Sequence, residues 1–445
     1  DQSIYGFRAA YPEALLSFEK NHANARVLLM EDNFRSNASI VEAADQFIQK
    51  NTLRHEKHMR ATKERMEEIK EISLKSRKAQ YSYLMKVADG CTTQTAVLYR
   101  DNECILPLVD LLERNNIPYQ MRNAELTFFS HRTVLDVVNI IKLALNPKDT
   151  EAFLQVYYKI GTYLRKQEAM RIAEISEEKD LPVLDVAADY QGLSGHVIGC
   201  VKSVRTHLQN MLQESGDKAV NRISQYMGYR EYLNRIGVSD SKLEILRMLG
   251  AGEESPERLV KRLEELKSII LEKQSDAQCP FILSTMHASK GLEYEHVYLI
   301  DVVDGILPEQ ALQNPKRASK EELQTYEEER RLFYVGVTRA KQQLTLFTTN
   351  RESSFCREIL GKTFIQKNST KVVSANKIFS QANPYAQNTK SRMKPTTAEE
   401  YKKFKEQLGA GVLVKHKKFG DGVVFSMDEE RVQILFGEKL RNLDM

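Results

Sequence analysis

The sequence predicts an α/β protein, a mostly parallel sheet interrupted by an all-helical insertion and followed by a small all-β module. Three observations carry this. Apolar runs at Ala96–Tyr99, Phe281–Ser284, Val297–Ile300 and Leu344–Phe347 alternate with helical patterns, which puts helices on both faces of a parallel sheet. From about 148 to 270 the pattern is helical with almost no strand signal. Residues 409–445 hold only short strand-like runs broken by glycine turns.

Taken in order, Arg26–Met30 reads as a buried strand. After Asn33-Phe-Arg-Ser36 comes a helical pattern through Ile40, Val41, Ala44 and Phe47, with Ser36 or Asn37 as its N-cap. Residues 54–80 are rich in Lys, Arg and Glu with few apolar anchors, and a solvated connector is the simpler reading than a binding patch. Ile105–Leu112 is the core face of a helix whose Pro107 falls in the first turn, where a missing N–H costs little. Ile117-Pro-Tyr119 starts a short extended piece, and Val134–Leu145 is an amphipathic helix stopped by Asn146-Pro147. A helix is predicted over Lys320–Val337. Val412–Val414, Val423–Phe425 and Val432–Phe436 are the terminal strands, with Asp421-Gly422 and Gly437 at turns; a fourth strand would end close to Met445 and leave the module cut short.

The 445 residues are 42% hydrophobic and 28% charged, enough apolar content for sizeable cores and unlike a disordered chain. No apolar run reaches spanning length and no secretory pattern is visible. The five cysteines lack paired C-x-x-C spacing, which excludes a disulfide scaffold or zinc ribbon and favours the reducing cytoplasm. The net charge of +4 is unevenly spread. Residues 361–408 carry ten Lys and Arg against three Asp and Glu, whereas residues 1–360 carry 49 against 52. That polar segment reads as a flexible basic tether able to bind phosphates nonspecifically and with strong salt dependence.

Two segments carry candidate chemistry. In Leu283-Ser-Thr-Met-His-Ala-Ser-Lys-Gly-Leu-Glu293 a strand ends in small and polar residues. Backbone N–H groups there can face phosphate, Lys290 adds charge, Thr285 and His287 offer donors, and Glu293 could accept from ribose hydroxyls. In Glu327-Glu-Glu-Arg-Arg-Leu-Phe-Tyr-Val-Gly-Val-Thr-Arg-Ala340 an apolar stripe lies beside a charge cluster. Glu327 and Arg331 are spaced for an i,i+4 pair, and Arg339 near the helix end could reach a phosphoryl group. On spacing alone a salt-bridged surface helix is the simpler reading.

Two lookalikes are set aside. Gly361-Lys-Thr363 resembles the end of a phosphate-binding loop, but Cys356 stands where a glycine is required, and G-x-x-x-x-G-K-[ST] occurs nowhere. Asp301 ends an apolar strand like a magnesium-holding carboxylate, but has no such loop beside it.

Together, Asp1-Gln-Ser-Ile-Tyr-Gly-Phe-Arg8, Asn33-Phe-Arg-Ser36, Val97-Leu-Tyr-Arg-Asp-Asn102, Thr285–Glu293 and Glu327–Ala340 resemble, in order, the motifs of superfamily 1 DNA helicases of the UvrD/Rep/PcrA type. Lys418-Phe-Gly-Asp-Gly422 resembles that family's small Tudor-like, SH3-like C-terminal module. The chain departs from the family in having Phe7 where Trp is usual and Ala9 where Gly is usual. Ile160–Arg165 matches only in part the Gly-rich hairpin with which relatives grip duplex DNA.

The resemblance implies two RecA-like lobes with ATP between them. Residues 1–33 would be the tail of the first lobe, 34–147 and 271–360 the second lobe, 148–270 the helical insertion, 361–408 the tether and 409–445 the β module. It further implies that Gln2 senses the γ-phosphate, that Phe34 stacks on adenine and that Glu293 holds the ribose. Arg35 and Arg339 would neutralise charge on the terminal phosphate. Tyr5 and Phe7 would stack on bases, with Arg8, Arg100, Asn102, Thr285 and His287 near the strand's backbone. No metal ligand is assigned within the chain; those for Mg²⁺ are expected upstream with the phosphate loop. The implied activity is an ATP-dependent 3′→5′ DNA helicase acting on single-stranded DNA and single-strand/duplex junctions, with no membrane association, and this chain alone is expected to be inactive. An RNA polymerase or repair protein is the expected partner of the β module. The alternative is a non-hydrolysing module that binds nucleic acid or RNA polymerase.

Overall fold

The computed structural model describes residues 1–4, 18–22, 24–26, 28–122, 126–272, 279–312, 317–349 and 353–362, and the strands 413–416, 420–427, 431–436 and 439–444. The chain divides into two units, Asp1–Thr363 and Phe364–Met445.

Six parallel strands organise the first unit. They are β3 (Lys70–Leu74), β4 (Thr95–Tyr99), β5 (Gln120–Met121), β6 (Phe281–Thr285), β7 (Tyr294–Leu299) and β8 (Ala340–Thr349), in the order β3-β8-β7-β4-β6-β5. A smaller parallel pair joins β1 (Asp32–Asn33) to β2 (Arg60–Ala61). Successive side chains of a strand point to opposite faces, and β4 divides its apolar run accordingly. Ala96 and Leu98 join one core with Ile282, Leu299 and Leu346. Val97 and Tyr99 join the other with Phe281, Leu283 and Phe347. A strand buried on both faces is largely apolar on both, which is why these runs do not alternate.

The first core is covered by α1 (Ala38–Ile48), capped by Asn37, whose side chain accepts from the Ile40 N–H. The second is covered by α2 (Arg77–Asp89), α3 (Leu106–Arg114) and α4 (Arg132–Leu145). Eight further helices then run from Thr150 to Glu272: α5 (Thr150–Val156), α6 (Lys166–Lys179), α7 (Val183–Asp189), α8 (Gly195–Met211), α9 (Gly216–Tyr226), α10 (Tyr229–Arg235), α11 (Ser241–Gly250) and α12 (Pro256–Glu272). This insertion shares one continuous core with the sheet through Leu246, Leu249, Leu259 and Leu266. Buried Asp110 of α3 adds a polar tie, accepting from Arg262 of α12 at 2.7 Å and from Arg114 at 2.9 Å. Gly250 lets α11 and α9 meet backbone to backbone, since a Cβ there would lie 2.7 Å from Gly216.

The last helices are α13 (Lys320–Val337) and α14 (Ser354–Ile359). The α13 charge cluster is buried, contrary to the surface-helix reading. Glu327 accepts from Thr52 N–H at 2.7 Å and Thr52 Oγ1 at 2.8 Å. Arg330 donates to Glu358 at 2.8 Å and lies over the rings of Tyr326, Phe47 and Phe355.

Two further expectations are corrected. Leu28, Leu29 and Met30 lie in no strand and are 73, 50 and 83% exposed, because the described residues offer them no neighbouring strand; pairing begins at Asp32. Residues 54–80 are not a plain connector, since they hold β2, α2's first turn and the edge strand β3.

The second unit is a four-stranded antiparallel meander, β9 (Leu413–His416), β10 (Gly420–Met427), β11 (Arg431–Phe436) and β12 (Lys439–Asp444), in the order β12-β11-β10-β9. The tether from Thr363 to Leu408 lies outside the described residues. No helix among the described residues is long and apolar enough to cross a membrane.

Candidate functional site

Parallel pairing sets Tyr294 opposite Ala340 at the start of β7 and β8. The residues just before them, Glu293 and Arg339, therefore stand side by side. The loop before α1 is stitched to the same place. Asn33 Oδ1 accepts from the N–H groups of Arg35 (2.9 Å) and Ser36 (3.0 Å), forming a tight side-chain turn. Ser36 Oγ donates to Ala340 O at 2.6 Å, and Asn37 Nδ2 to Gln342 O at 2.6 Å.

These constraints bring Arg35 onto Glu293 and Thr338. Its Nε donates to Glu293 Oε2 at 2.9 Å and its guanidinium to Thr338 O at 3.1 Å. Arg339 meets the same threonine, donating to Thr338 Oγ1 at 3.0 Å, and also to Val335 O at 2.9 Å and Leu292 O at 3.0 Å. It is 1% exposed, and all three acceptors are neutral oxygens. Burial, and then the like charge of Arg35, push its pKa down to about 10. Two cations converge on one residue, one of them buried with only neutral acceptors, which makes the spot favourable for an anion.

Glu293 answers part of this charge. Hydrogen bonds from Arg35 and from Lys341, whose Nζ lies 3.0 Å from Oε1, hold its carboxyl below the usual carboxylate range. Phe34 next to Arg35 is 73% exposed, an aromatic face open to solvent. Gln2 lies between anchored neighbours, because Asp1 accepts from Arg54 at 2.8 Å and Ser3 O accepts from Arg331 at 3.0 Å.

The remaining candidates lie at the opposite, carboxyl ends of β4 and β6, where open α/β sheets bind ligands. Tyr99 pairs with Thr285, so Arg100, Asn102, Thr285 and His287 follow from adjacent strands. Thr285 Oγ1 is engaged by the Ala288 N–H at 3.1 Å. Arg100 is held by Glu329 of α13 at 2.8 Å, and burial raises the Glu329 pKa despite that pairing. Asn102 Oδ1 is buried with no hydrogen-bond partner among the described residues. The structure thus groups Phe34, Arg35, Glu293 and Arg339 apart from Arg100, Asn102, Thr285 and His287, and places Gln2 beside Ser3, which is bonded to Arg331 of α13. Loop 286–293 joins the two groups. Tyr5, Phe7 and Arg8 lie outside the described residues.

Thr338, which both arginines share, and Lys341 were not singled out from the sequence, although both lie within two residues of Arg339. Arg122 was also missed; its N–H donates to Leu283 O at 3.0 Å beside the carboxyl ends. Among the described residues no three His, Cys, Asp or Glu side chains gather as metal ligands.

The family model of the UvrD-like helicase C-terminal domain matches residues 28–270 and 251–351. The ATP-dependent DNA helicase PcrA of Staphylococcus epidermidis is 26% identical over 470 residues, covering 97% of this chain and 62% of that protein. PcrA of Staphylococcus aureus is 25% identical over 467 residues, covering 98% and 62%. The putative ATP-dependent DNA helicase YjcD of Bacillus subtilis is 27% identical over 361 residues, covering 78% and 46%. The chain therefore spans about three fifths of the length of the PcrA relatives it matches. With the family model matching most of its length and the paired-arginine cluster built from the matched segments, the chain belongs to the UvrD/PcrA-type family of superfamily 1 DNA helicases.

Proposed function

We propose that this chain serves an ATP-dependent helicase that moves 3′→5′ on single-stranded DNA in the cytoplasm, as the lobe that closes over the nucleotide. The observation that carries the reading is the convergence of Arg35 and Arg339 on Thr338 beside Glu293. Such guanidinium groups stabilise charge on a transferring phosphoryl group and are worth about 10³–10⁵ in rate where they complete a clamp. The residues suit ATP: Phe34 offers a face for adenine, Glu293 acceptors for ribose hydroxyls and the two arginines donors for phosphate, with Gln2 assigned as a neutral sensor of the γ-phosphate. Mg²⁺, when bound with ATP, would supply charge neutralisation at the phosphates, and no residue of this chain is assigned to hold it.

Single-stranded DNA would cross the carboxyl ends of β4 and β6 near Arg100, Asn102, Thr285 and His287, with Tyr5 and Phe7 stacking on bases and Arg8 near the backbone. The 445 residues contain no G-x-x-x-x-G-K-[ST] sequence; hydrolysis and unwinding are assigned to the lobe pair and not to this chain alone. The β module is assigned to a protein partner such as an RNA polymerase or a repair protein. The presence of Gln2, Arg35, Glu293 and Arg339 together favours the motor reading over a non-hydrolysing module.

The chain has no tryptophan, so Phe34→Trp creates a single reporter at the adenine face. Millimolar ATP is expected to quench its emission by stacking, whereas tripolyphosphate, which has no base, is not. Unchanged emission with ATP would remove adenine from the site.

A further inference from the structure

The charge-rich stretch between α1 and α2 does something its composition does not suggest. Residues 57–66 run the length of α1 and are tied to it throughout. Gln49 donates to Lys57 O at 2.7 Å, Met59 N–H to Asp45 at 2.9 Å, Ala38 N–H to Glu64 O at 3.3 Å and Ser39 to Met66 O at 3.3 Å. In the middle, β2 pairs with β1, and Arg60 bonds Asp32 at 3.1 Å.

The contacts that matter lie one step further on. The Thr62 N–H and hydroxyl both donate to Asn33 O, at 3.1 and 2.9 Å. The Lys63 ammonium donates to Arg35 O at 2.8 Å. The Arg35 peptide is thus held at its N–H by Asn33 and at its carbonyl by Lys63, while its guanidinium meets Glu293 and Thr338. The strand β8 fixes only Ser36 and Asn37, on the far side of this loop. Thr62 and Lys63 thus add one hold on each side of Phe34 to those of the Asn33 turn, the β1–β2 pair and β8.

We propose that residues 60–66 are a strap that positions the Phe34–Arg35 loop for the nucleotide, with Thr62 and Lys63 as the positioning residues. Neither side chain needs to touch the ligand. Lysine suits the task, since its long stem brings a charged donor to a carbonyl at the surface, and such bonds are stronger than neutral ones. The positioning role stands on the contacts alone; its benefit to nucleotide binding rests on the function proposed above.

The test uses the Phe34→Trp chain without and with ATP. Lys63→Met keeps the stem and removes the donor; Thr62→Val removes a hydroxyl with no change of charge; Lys63→Arg retains a donor. In the nucleotide-free chain, Lys63→Met is expected to lower the anisotropy of the introduced indole and increase its quenching by acrylamide, Thr62→Val to do so less, and Lys63→Arg to restore both. ATP affinity is expected to fall about tenfold in Lys63→Met, the loss of one charge-assisted bond. Indole anisotropy unchanged in both Lys63→Met and Thr62→Val would overturn the strap. An indole loosened as expected but indifferent to ATP in every variant would uphold the strap and overturn the nucleotide reading.

Discussion

Tripolyphosphate is expected to stabilise this chain against heat, and replacing Arg339 with methionine is expected to abolish that stabilisation. A ligand that binds only the folded state at ten times its Kd adds about 1.4 kcal/mol of stability. On the function proposed above, the anion's partners in this lobe would be the two guanidinium groups that meet at Thr338. Arg339 would then be the stronger of the two, because it is 1% exposed and charge–charge attraction is screened least where water is excluded. Losing one charge-assisted contact of this kind costs on the order of 2–3 kcal/mol, or about 100-fold in affinity. At a tripolyphosphate concentration that stabilises the wild type, Arg339→Met should then show no shift in unfolding midpoint, and Arg35→Met a reduced one. An Arg339→Met chain that keeps the full shift would show that the anion binds elsewhere.

The same residue fixes a pH dependence. Its pKa in the folded chain is lowered to about 10, below that of a guanidinium in the unfolded chain, so between the two the unfolded chain holds more protons than the folded one. Stability from this group therefore rises with pH across that interval, and the cost of burying the charge is present below it. An anion opposes this by favouring the charged form. The tripolyphosphate increment should be level from pH 7 to 9 and shrink as pH passes about 10. Tripolyphosphate stabilisation that continued undiminished well above pH 10 would exclude Arg339 as its source.

What could be read in the sequence follows the kind of force involved. Helix α13 runs over Lys320–Val337, the range predicted, because an N-cap serine and an apolar stripe are local signals. The strands of the sheet centre were equally plain, since burial on both faces makes their middle positions continuously apolar. The edge strand β3, Lys-Glu-Ile-Ser-Leu, carries no such mark because solvent reaches it. Glu327, Arg330 and Arg331 read as surface charges, yet each is buried, with its partners on segments distant in sequence. The strap was invisible for the same reason: its holds are single polar bonds across about 30 residues, and composition records only that the residues are charged. Of the site, Arg35, Glu293 and Arg339 were named from the sequence, whereas the residues that aim them, Thr338, Lys341 and Lys63, were not.

Asp301 shows the opposite case, a residue that looks catalytic in sequence and is structural in the fold, and substituting it should give the largest loss of stability. It is 2% exposed at the end of β7, with φ of 56°. Arg77 of α2 grips both its carboxylate oxygens, at 2.9 and 2.6 Å, and Gln80 donates to it at 2.6 Å. Arg77 also reaches Glu244 of the insertion at 3.2 Å, so sheet, α2 and α11 meet at one ion pair. Asparagine tolerates the left-handed backbone, and Asp301→Asn therefore isolates the charge. Breaking a buried pair from one side leaves the other charge without compensation, and costs about 3–5 kcal/mol. Arg77→Met should cost a similar amount. The double variant should cost clearly less than the sum of the two, since most of each single loss is the penalty of the stranded partner and not the net worth of the pair. Urea unfolding midpoints of the four chains measure this, with a common m-value as the check that the unfolded states are alike. Both single variants, while folded, should keep the tripolyphosphate shift, because the pair lies beyond the carboxyl end of β7 and the arginine cluster at its amino end. Full additivity in the double variant would mean that the two side chains stabilise the fold independently.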